Sequence, residues 1–314
     1  MKMWFILTIG VTALLVPAAG QNAERTALSW APKPLKPVGY FGINRPIVRI
    51  ADLLTKHKGQ RDWQEKIVDD DHLTSSYISS SPGTKTGKRY HPQTREWWVV
   101  TDGQIRFEIE GQGSFVASKG WMVQVPPRTI YSLETIGDKP SLRYEVNIAH
   151  AQTLYPNDVK PPALPGVEWM LVKSARAPAP YDRGNKPYLI FDEVAAKIEK
   201  SEVRGGNRFI NDDRGVANII YGYEKNLPPE GPDEKGHWHP ECAESWLIMT
   251  GQIKYKIEGH ATFVADTGDV VYAPRFMWHH ATFSGTGPSC RLAMTGYPGI
   301  TSLVDPKSGA AGER

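Results

Sequence analysis

The stretch GHWHPECAESWLIMTG at 236–251 has two histidines two residues apart and a glutamate five residues after the second. Successive residues of a β-strand point to opposite faces, so His237 and His239 are expected to share one face. Glu244 begins an apolar run that ends at a glycine, which is typical of a strand followed by a turn. The spacing therefore predicts strands that bring two imidazoles and one carboxylate together.

A third histidine, His279, follows in the stretch APRFMWHHATF, just after a proline turn. In a small closed barrel it could meet the other three side chains at one interior point. Three imidazoles and one carboxylate are a donor set for one divalent transition metal ion, with Mn, Fe, Ni, Cu and Zn all open. The neighbouring His280 is expected to face away by strand alternation, and His260 to be exposed in a hairpin. The predicted ligands are His237, His239, Glu244 and His279.

A near-copy of the opening stretch, KRYHPQTREWWVVTDG, stands at 88–103, which is 148 residues earlier. The register continues downstream without insertion or deletion, so that GQIRFEIEG matches GQIKYKIEG. Upstream, NRPIVRIADLLTK at 44–56 resembles NKPYLIFDEVAAK at 185–197. The chain is therefore an internal duplication, and each copy has the period-two alternation of β-strands.

The duplication divides the chain into two domains. We predict a first domain over 40–150, a proline-rich extended connector over 151–184 and a second domain over 185–300. Apolar residues at helical spacing also predict short helices over Ile50–Lys58 and Phe191–Lys200.

These motifs resemble those of the cupin superfamily. Its first motif is a glycine, five residues, His-x-His, three or four residues, a glutamate, six residues and a glycine, and Gly231 supplies the first glycine here. Gly268, Pro274 and His279 match the second motif, although Phe276 replaces a usual glycine and the later asparagine is absent. The resemblance implies a mainly all-β bicupin, with two tandem double-stranded β-helix (jelly-roll) barrels and short helices. It implies no particular reaction, because the superfamily includes oxygenases, decarboxylases, lyases, isomerases and inert binding proteins.

The first copy keeps only part of the metal-binding set. His91 and Glu96 remain, but Arg89 replaces the first histidine and Tyr131 replaces the last. A guanidinium stays protonated and cannot ligate a metal. We expect Arg89 to point into the barrel beside Glu96, as a fixed cation in the place of the metal. The alternative is that Arg89 holds a substrate carboxylate.

The remaining sequence features concern partners and location. The net charge is +3 and 23% of residues are charged, so nothing favours nucleic acid as a partner. Residues 1–20 combine one lysine, an apolar run and small residues, which predicts a cleaved signal peptide and a periplasmic or secreted protein that is not bound to a membrane. An uncleaved anchor is the alternative.

The sequence leaves two further questions open. Cys242 and Cys290 could form a disulfide or be two buried thiols, and the protein could associate into a homo-oligomer.

Three functions are compatible with these observations. The first is a metal-dependent dioxygenase acting on a small aromatic, enol or diketone-like substrate, with Glu244 as a ligand or a base. The second is a lyase, decarboxylase or isomerase that uses the metal as a Lewis acid. The third is a non-catalytic exported protein that binds a small molecule or a metal. Aromatic and methionine side chains near the second site favour an apolar or aromatic substrate, and the predicted contact residues are Tyr221, Trp246, Tyr272 and Met277.

Overall fold

The described part of the chain comprises, in this computed structural model, residues 30–174, 176–228 and 236–296, with the backbone of 302–303. The predicted signal at 1–20 and Gly231 lie outside these ranges. From Lys33 onward the described residues form one structural unit, and residues 30–32 before it form no helix or strand. Across the described ranges, no helix is both long and apolar enough to cross a membrane.

Strands dominate the structure, which confirms the predicted all-β class with short helices. The helices are α1 (Ile50–Lys56) and α2 (Phe191–Glu199), each within a predicted helix. The strands of the first half are β1 (Ile47–Val48), β2 (Trp63–Asp69), β3 (Leu73–Ser80), β4 (Glu96–Asp102), β5 (Gln104–Ile109), β6 (Gly113–Ser118), β7 (Trp121–Val125), β8 (Tyr131–Ile136) and β9 (Ser141–Ile148). Those of the second half are β10 (Tyr188–Ile190), β11 (Gly206–Asp212), β12 (Gly215–Gly222), β13 (His237–Trp238), β14 (Glu244–Thr250), β15 (Gln252–Ile257), β16 (Phe263–Asp266), β17 (Val270–Ala273), β18 (His279–Ser284), β19 (Ser289–Thr295) and β20 (Ser302–Leu303).

Four sheets form the two barrels. In the first barrel, a six-stranded sheet with the order β10-β7-β4-β9-β3-β2 lies opposite a three-stranded sheet with the order β6-β5-β8. In the second, a six-stranded sheet with the order β1-β17-β14-β19-β12-β11 lies opposite a five-stranded sheet with the order β16-β15-β18-β13-β20. Most neighbours are not consecutive along the chain, which is the crossover pattern of a jelly roll. The prediction of two tandem jelly-roll barrels is confirmed.

The first strand of each repeat adds to the barrel of the other repeat. β1 pairs antiparallel with β17, joining Ile47 to Val271, and β10 pairs with β7, joining Leu189 to Met122. The two barrels are thus tied together by reciprocal exchange of an edge strand. The domain limits at 40–150 and 185–300 stay a prediction, but β1 is hydrogen-bonded to the second barrel. The described residues of the connector form no helix or strand.

The outer faces of the two six-stranded sheets pack against each other to form a shared core. Strand alternation places Trp98 and Trp246 inside their own barrels, whereas Trp97 and Leu247 point into the shared core. The three tryptophans are almost completely buried. Aromatic side chains bury roughly 150–250 Å² each, so these rings contribute strongly to both kinds of core.

Candidate metal centre

The four predicted ligands meet inside the second barrel. His237 on β13 pairs with His279 at the start of β18, and Glu244 begins β14. The Glu244 Oε2 atom lies 2.8 Å from His239 Nε2, 3.0 Å from His279 Nε2 and 3.5 Å from His237 Nε2. All four donor atoms lie within 4.8 Å of one another. The strands therefore bring together three imidazoles and one carboxylate that are far apart in sequence.

The spacing of these donor atoms fits a metal ion. Ligand atoms about 2.1 Å from a metal and at right angles to each other stand roughly 3 Å apart. The Nε2 atoms of His279 and His237 are 3.1 Å apart, and the carboxylate oxygen is at a similar distance from each imidazole. Imidazole and carboxylate together suit Mn, Fe, Ni, Cu and Zn. The group is a site for one divalent transition metal ion.

The surroundings of the group favour the protonation states that metal binding needs. The Nδ1–H of His279 donates to the carbonyl of Met277 at 2.9 Å, which leaves Nε2 as the ligand atom. Burial alone would raise the pKa of Glu244, but its contacts with the three histidines hold it well below its usual range. Burial lowers the pKa of His279. An ionised carboxylate and neutral imidazoles are the forms that ligate a metal.

One ligand is more accessible than the others. His239, Glu244 and His279 are buried, whereas the side chain of His237 is 28% exposed. Among the four ligands, His237 is therefore the one most open to solvent.

Two backbone features fix the loops that carry the ligands. A Cβ atom on Gly236 would lie 2.0 Å from the indole of Trp278, so only glycine fits directly before His237. Phe276, which stands at a usual glycine of the motif, has a φ of 68°. This left-handed conformation is strained for a bulky residue and is the one that glycine adopts easily. The amide of Phe276 donates to the carbonyl of His239 at 2.8 Å, which ties the two ligand-bearing loops together.

The predicted substrate-contact residues divide into two pairs. Trp246 and Met277 lie in the apolar interior of the second barrel, and the Trp246 ring centroid is 5.0 Å from that of His279. Tyr221 and Tyr272 point to the opposite face of their sheet, into the core shared by the barrels. The Tyr221 hydroxyl donates to Glu199. The structure thus brings only the first pair to the metal group.

The incomplete site of the first barrel has the same arrangement with different side chains. Arg89 pairs with Tyr131, as His237 pairs with His279 in the second barrel. The Arg89 Nε–H donates to the Tyr131 hydroxyl at 2.9 Å, and Nη2 lies 3.8 Å from Glu96 Oε1. The Tyr131 hydroxyl also donates to Glu96. The Tyr131 hydroxyl thus contacts both Glu96 and His91, and the guanidinium lies beside it as the nearby cation.

Electrostatics in this first site follow from the buried ion pair. Burial raises the pKa of Glu96, but the charge of Arg89 and the hydrogen bonds of His91 and Tyr131 lower it below the usual range. Burial also lowers the pKa of His91, but its contacts with Glu96 prevail and raise it. His91 Nε2 is 3.0 Å from Glu96 Oε2. The ion pair stabilises both charged forms.

Sequence reasoning missed two polar residues on β9. Glu145 accepts a 2.7 Å hydrogen bond from Trp98 Nε1 and lies 3.9 Å from Arg89 Nη2. The Asn147 side-chain nitrogen is 3.1 Å from His91 Nε2. Extending the 148-residue repeat to β9 aligns Glu145 with Ala293. A charged residue in one repeat that is an alanine in the other is the sequence signal that could have identified Glu145.

The structure also locates the two cysteines and two further histidines discussed in the sequence analysis. Cys242 and Cys290 are both buried and no disulfide joins them. His260 is exposed, as predicted, and His280 is half-buried.

Comparison with known proteins agrees with this architecture. The Cupin domain family matches residues 77–147 and 223–295. No curated protein matches the chain. Salicylate 1,2-dioxygenase from Pseudaminobacter salicylatoxidans has a TM-score of 0.60 and 10% identity, covering 82% of this chain and 87% of its own. Oxalate decarboxylase from Bacillus subtilis has a TM-score of 0.49 and 16% identity, covering 91% and 89%. At 10% identity the likeness to the dioxygenase shows the fold alone.

The family matches fall on the two copies of the repeat, and each copy contributes most of one barrel. The His/His/Glu/His group lies in the second copy. The chain therefore contains two cupin domains in tandem, and among the described residues the His/His/Glu/His group lies in the second of them.

Proposed function

We propose that the protein is a metal-dependent dioxygenase that acts in its second barrel on a small aromatic, enol or diketone-like substrate. The observation that carries this proposal is the convergence of His237, His239, Glu244 and His279 beside an aromatic interior and with one accessible side. The name of the fold neighbour, salicylate 1,2-dioxygenase, provides a precedent for such chemistry on this fold.

In this proposal, a transition metal held by the four ligands would supply a Lewis acid able to hold a substrate oxygen and O₂. His237 borders the open side. Trp246 and Met277 line the interior, exclude water and favour a flat apolar substrate over a polar one. The aromatic ring of Trp246 fixes the orientation of His279 by edge contact.

Glu244 has two proposed roles at the site. The three histidine contacts all go to its Oε2 atom, which makes this oxygen the proposed ligand atom. The second carboxylate oxygen then serves as a base that accepts a proton from a substrate hydroxyl or enol. A Glu244→Gln variant removes the negative charge and this basic oxygen together.

Oxygen consumption tests the proposal directly. Protein loaded separately with Mn, Fe, Ni or Cu is given a panel of phenols, enols and diketones in an oxygen electrode, with His239→Ala as the control. We expect stoichiometric O₂ uptake with at least one metal and none in the control. Substrate conversion that proceeds equally without O₂ would instead assign a lyase, decarboxylase or isomerase. Metal binding without any conversion would indicate a binding protein.

We also propose that the protein is exported. The support is the sequence pattern of residues 1–20. Amino-terminal sequencing of protein recovered from the periplasm or the medium is expected to begin at Gln21. Recovery from the cytoplasm with Met1 intact would contradict export.

A further inference from the structure

A half-buried carboxylate in the first barrel, that of Glu145, has three cationic or polar neighbours. Glu145 Oε2 accepts a hydrogen bond from Trp98 Nε1 at 2.7 Å. Arg143 Nε lies 3.5 Å from the same oxygen, and Arg89 Nη2 lies 3.9 Å away. The first barrel therefore contains a place shaped and charged for one carboxylate, which its own chain fills.

The second barrel repeats the same strand pair in the same register. In the first barrel the cross-strand pairs are Trp98–Glu145 and Val100–Arg143, and in the second they are Trp246–Ala293 and Ile248–Arg291. A register shift follows the second pair in both barrels. The tryptophan and the arginine are thus retained at equivalent places, while the carboxylate is replaced by a methyl group.

The retained arginine has lost its carboxylate. Among the described residues, Arg291 Nε and Nη1 are buried and have no hydrogen-bond partner. In the first barrel, Arg143 Nε also makes no hydrogen bond but has Glu145 Oε2 at 3.5 Å, and Nη1 donates to Ser80. The difference is the missing counter-charge.

The hydroxyl of Tyr255, which stands where the first barrel has Phe107, is also buried without a hydrogen-bond partner among the described residues. Its ring centroid lies 5.3 Å from that of Trp246. Buried donors without acceptors carry a desolvation cost, and a carboxylate is the acceptor that best offsets it for a guanidinium.

We propose that the second barrel holds its substrate through a carboxylate, which occupies the place that Glu145 fills in the first barrel. Trp246 Nε1 and Arg291 Nε donate to this carboxylate. That the bound molecule is the substrate of the metal site rests on the proposed function. This carboxylate deepens that function by naming the class: small monocarboxylates that also carry a hydroxyl or enol oxygen.

The position of this subsite suits such a molecule. Glu145 lies 3.9 Å from Arg89, and His237 takes the position of Arg89 in the second barrel. The Trp246 ring is also in contact with that of His279. A carboxylate at the equivalent place therefore stands beside the metal group, and an oxygen a few bonds away reaches the open coordination side.

Filling the subsite from within the chain is the sharpest test. Ala293→Glu recreates the carboxylate of the first barrel, and Arg291→Gln removes the charged donor. Binding of acetate and benzoate is measured by calorimetry on metal-free and Zn-loaded full-length protein, with acetamide and benzamide as neutral controls. Arg143→Gln in the first barrel is the matched control. Metal content and melting temperature are recorded for every variant.

The wild type is expected to bind a carboxylate and not its amide. Ala293→Glu and Arg291→Gln should each weaken this binding by at least about tenfold, because the site is filled or has lost its charged donor. Arg143→Gln should leave the affinity unchanged. Ala293→Glu should keep its metal and melt no lower than the wild type, since Arg291 gains a partner.

Two results would overturn the inference: no carboxylate binding by the wild type, or unchanged binding by folded Ala293→Glu. These results are distinct from failure of the proposed function. If the protein binds carboxylates but takes up no O₂, the carboxylate subsite stands and the proposed dioxygenase function is wrong. If instead O₂ is taken up with neutral phenols, and neither acetate, benzoate nor either variant changes that uptake, the dioxygenase function stands and the carboxylate subsite is wrong.

Discussion

The two barrels share a register but are filled differently. In the first, Arg89 supplies a positive charge where the second has His237, and Glu145 supplies a negative charge where the second has Ala293. Each of these charges in the first barrel is covalently part of the chain. In the second barrel, the positive charge would come from a metal ion that His237 helps to hold and, in our inference, the negative charge comes from a substrate carboxylate.

This difference shows how a duplicated site can lose its ligands without losing its fold. Removing a metal from a buried carboxylate would leave an uncompensated charge, which is costly. The Arg89 guanidinium and the Tyr131 hydroxyl satisfy Glu96 instead. The first barrel can therefore stabilise the molecule through the shared core, while the second barrel keeps the metal-binding group.

The largest expected effect is loss of the metal from the second barrel. His239→Ala and Glu244→Gln each disrupt one of four donors, so each variant should lose essentially the whole metal equivalent that the wild type is expected to bind. His91→Ala changes the corresponding residue of the first barrel and should leave the metal content unchanged. Elemental analysis of the purified proteins measures all three. Metal loss in His91→Ala would break the distinction between the barrels.

A large effect on stability is expected in the first barrel. Arg89→Ala leaves the buried Glu96 without its cation and removes the donor to Tyr131, at a cost of about 3 kcal/mol in the free energy of unfolding. The ion pair of Arg183 with Asp213 is exposed, so Arg183→Ala should barely change stability. Urea denaturation compares the two variants. Equal midpoints would mean that Arg89 does not act as the internal cation.

The pH dependence of stability sharpens the same point. His91 has a raised pKa in the folded protein, so its protonated form stabilises the fold. That contribution is fully present below the unfolded pKa of about 6.5 and is lost as the pH rises through the folded pKa. The stability difference between wild type and His91→Gln should therefore be largest in mild acid and decrease above neutrality. A difference that grows with pH would contradict the assigned contact with Glu96.

The smallest expected effect is recovery of metal binding by the first barrel. Arg89→His combined with Tyr131→His rebuilds three imidazoles and one carboxylate on the same strand pairs. Binding should be weak, because the new ligands would lie beside Glu145 and Asn147, which differ from the residues that surround the ligands of the second barrel. Titration with Co or Zn should show a second equivalent. A folded double variant that binds none at saturation would mean that the first barrel has diverged in its backbone.

Local spacing was sufficient to predict which four side chains meet in the second barrel. His237 and His239 lie on one face, and their motif with Glu244 and His279 specifies both the fold and the donor set. The repeat also predicted that Arg89 replaces a ligand. These features depend on short-range patterns and on one constant offset, which a sequence displays directly.

Features that depend on tertiary pairing could not be predicted in the same way. Nothing local in NRPIV distinguishes a strand of its own barrel from one that pairs with β17. The placement of Tyr272 required its strand register, because its neighbour Ala273 pairs with Glu244 and Tyr272 therefore points away from the ligands. Glu145 does not stand out from the similarity of the two repeats, because its counterpart in the second repeat is Ala293.

The central claim is that one barrel binds a metal while an internal ion pair replaces it in the other. Diffraction data collected at the absorption edge of the metal, from crystals of metal-loaded protein, test this directly. The account predicts one anomalous peak among His237, His239, Glu244 and His279, and none beside Arg89 and Glu96. A peak in the first barrel, or no peak in the second, would contradict it.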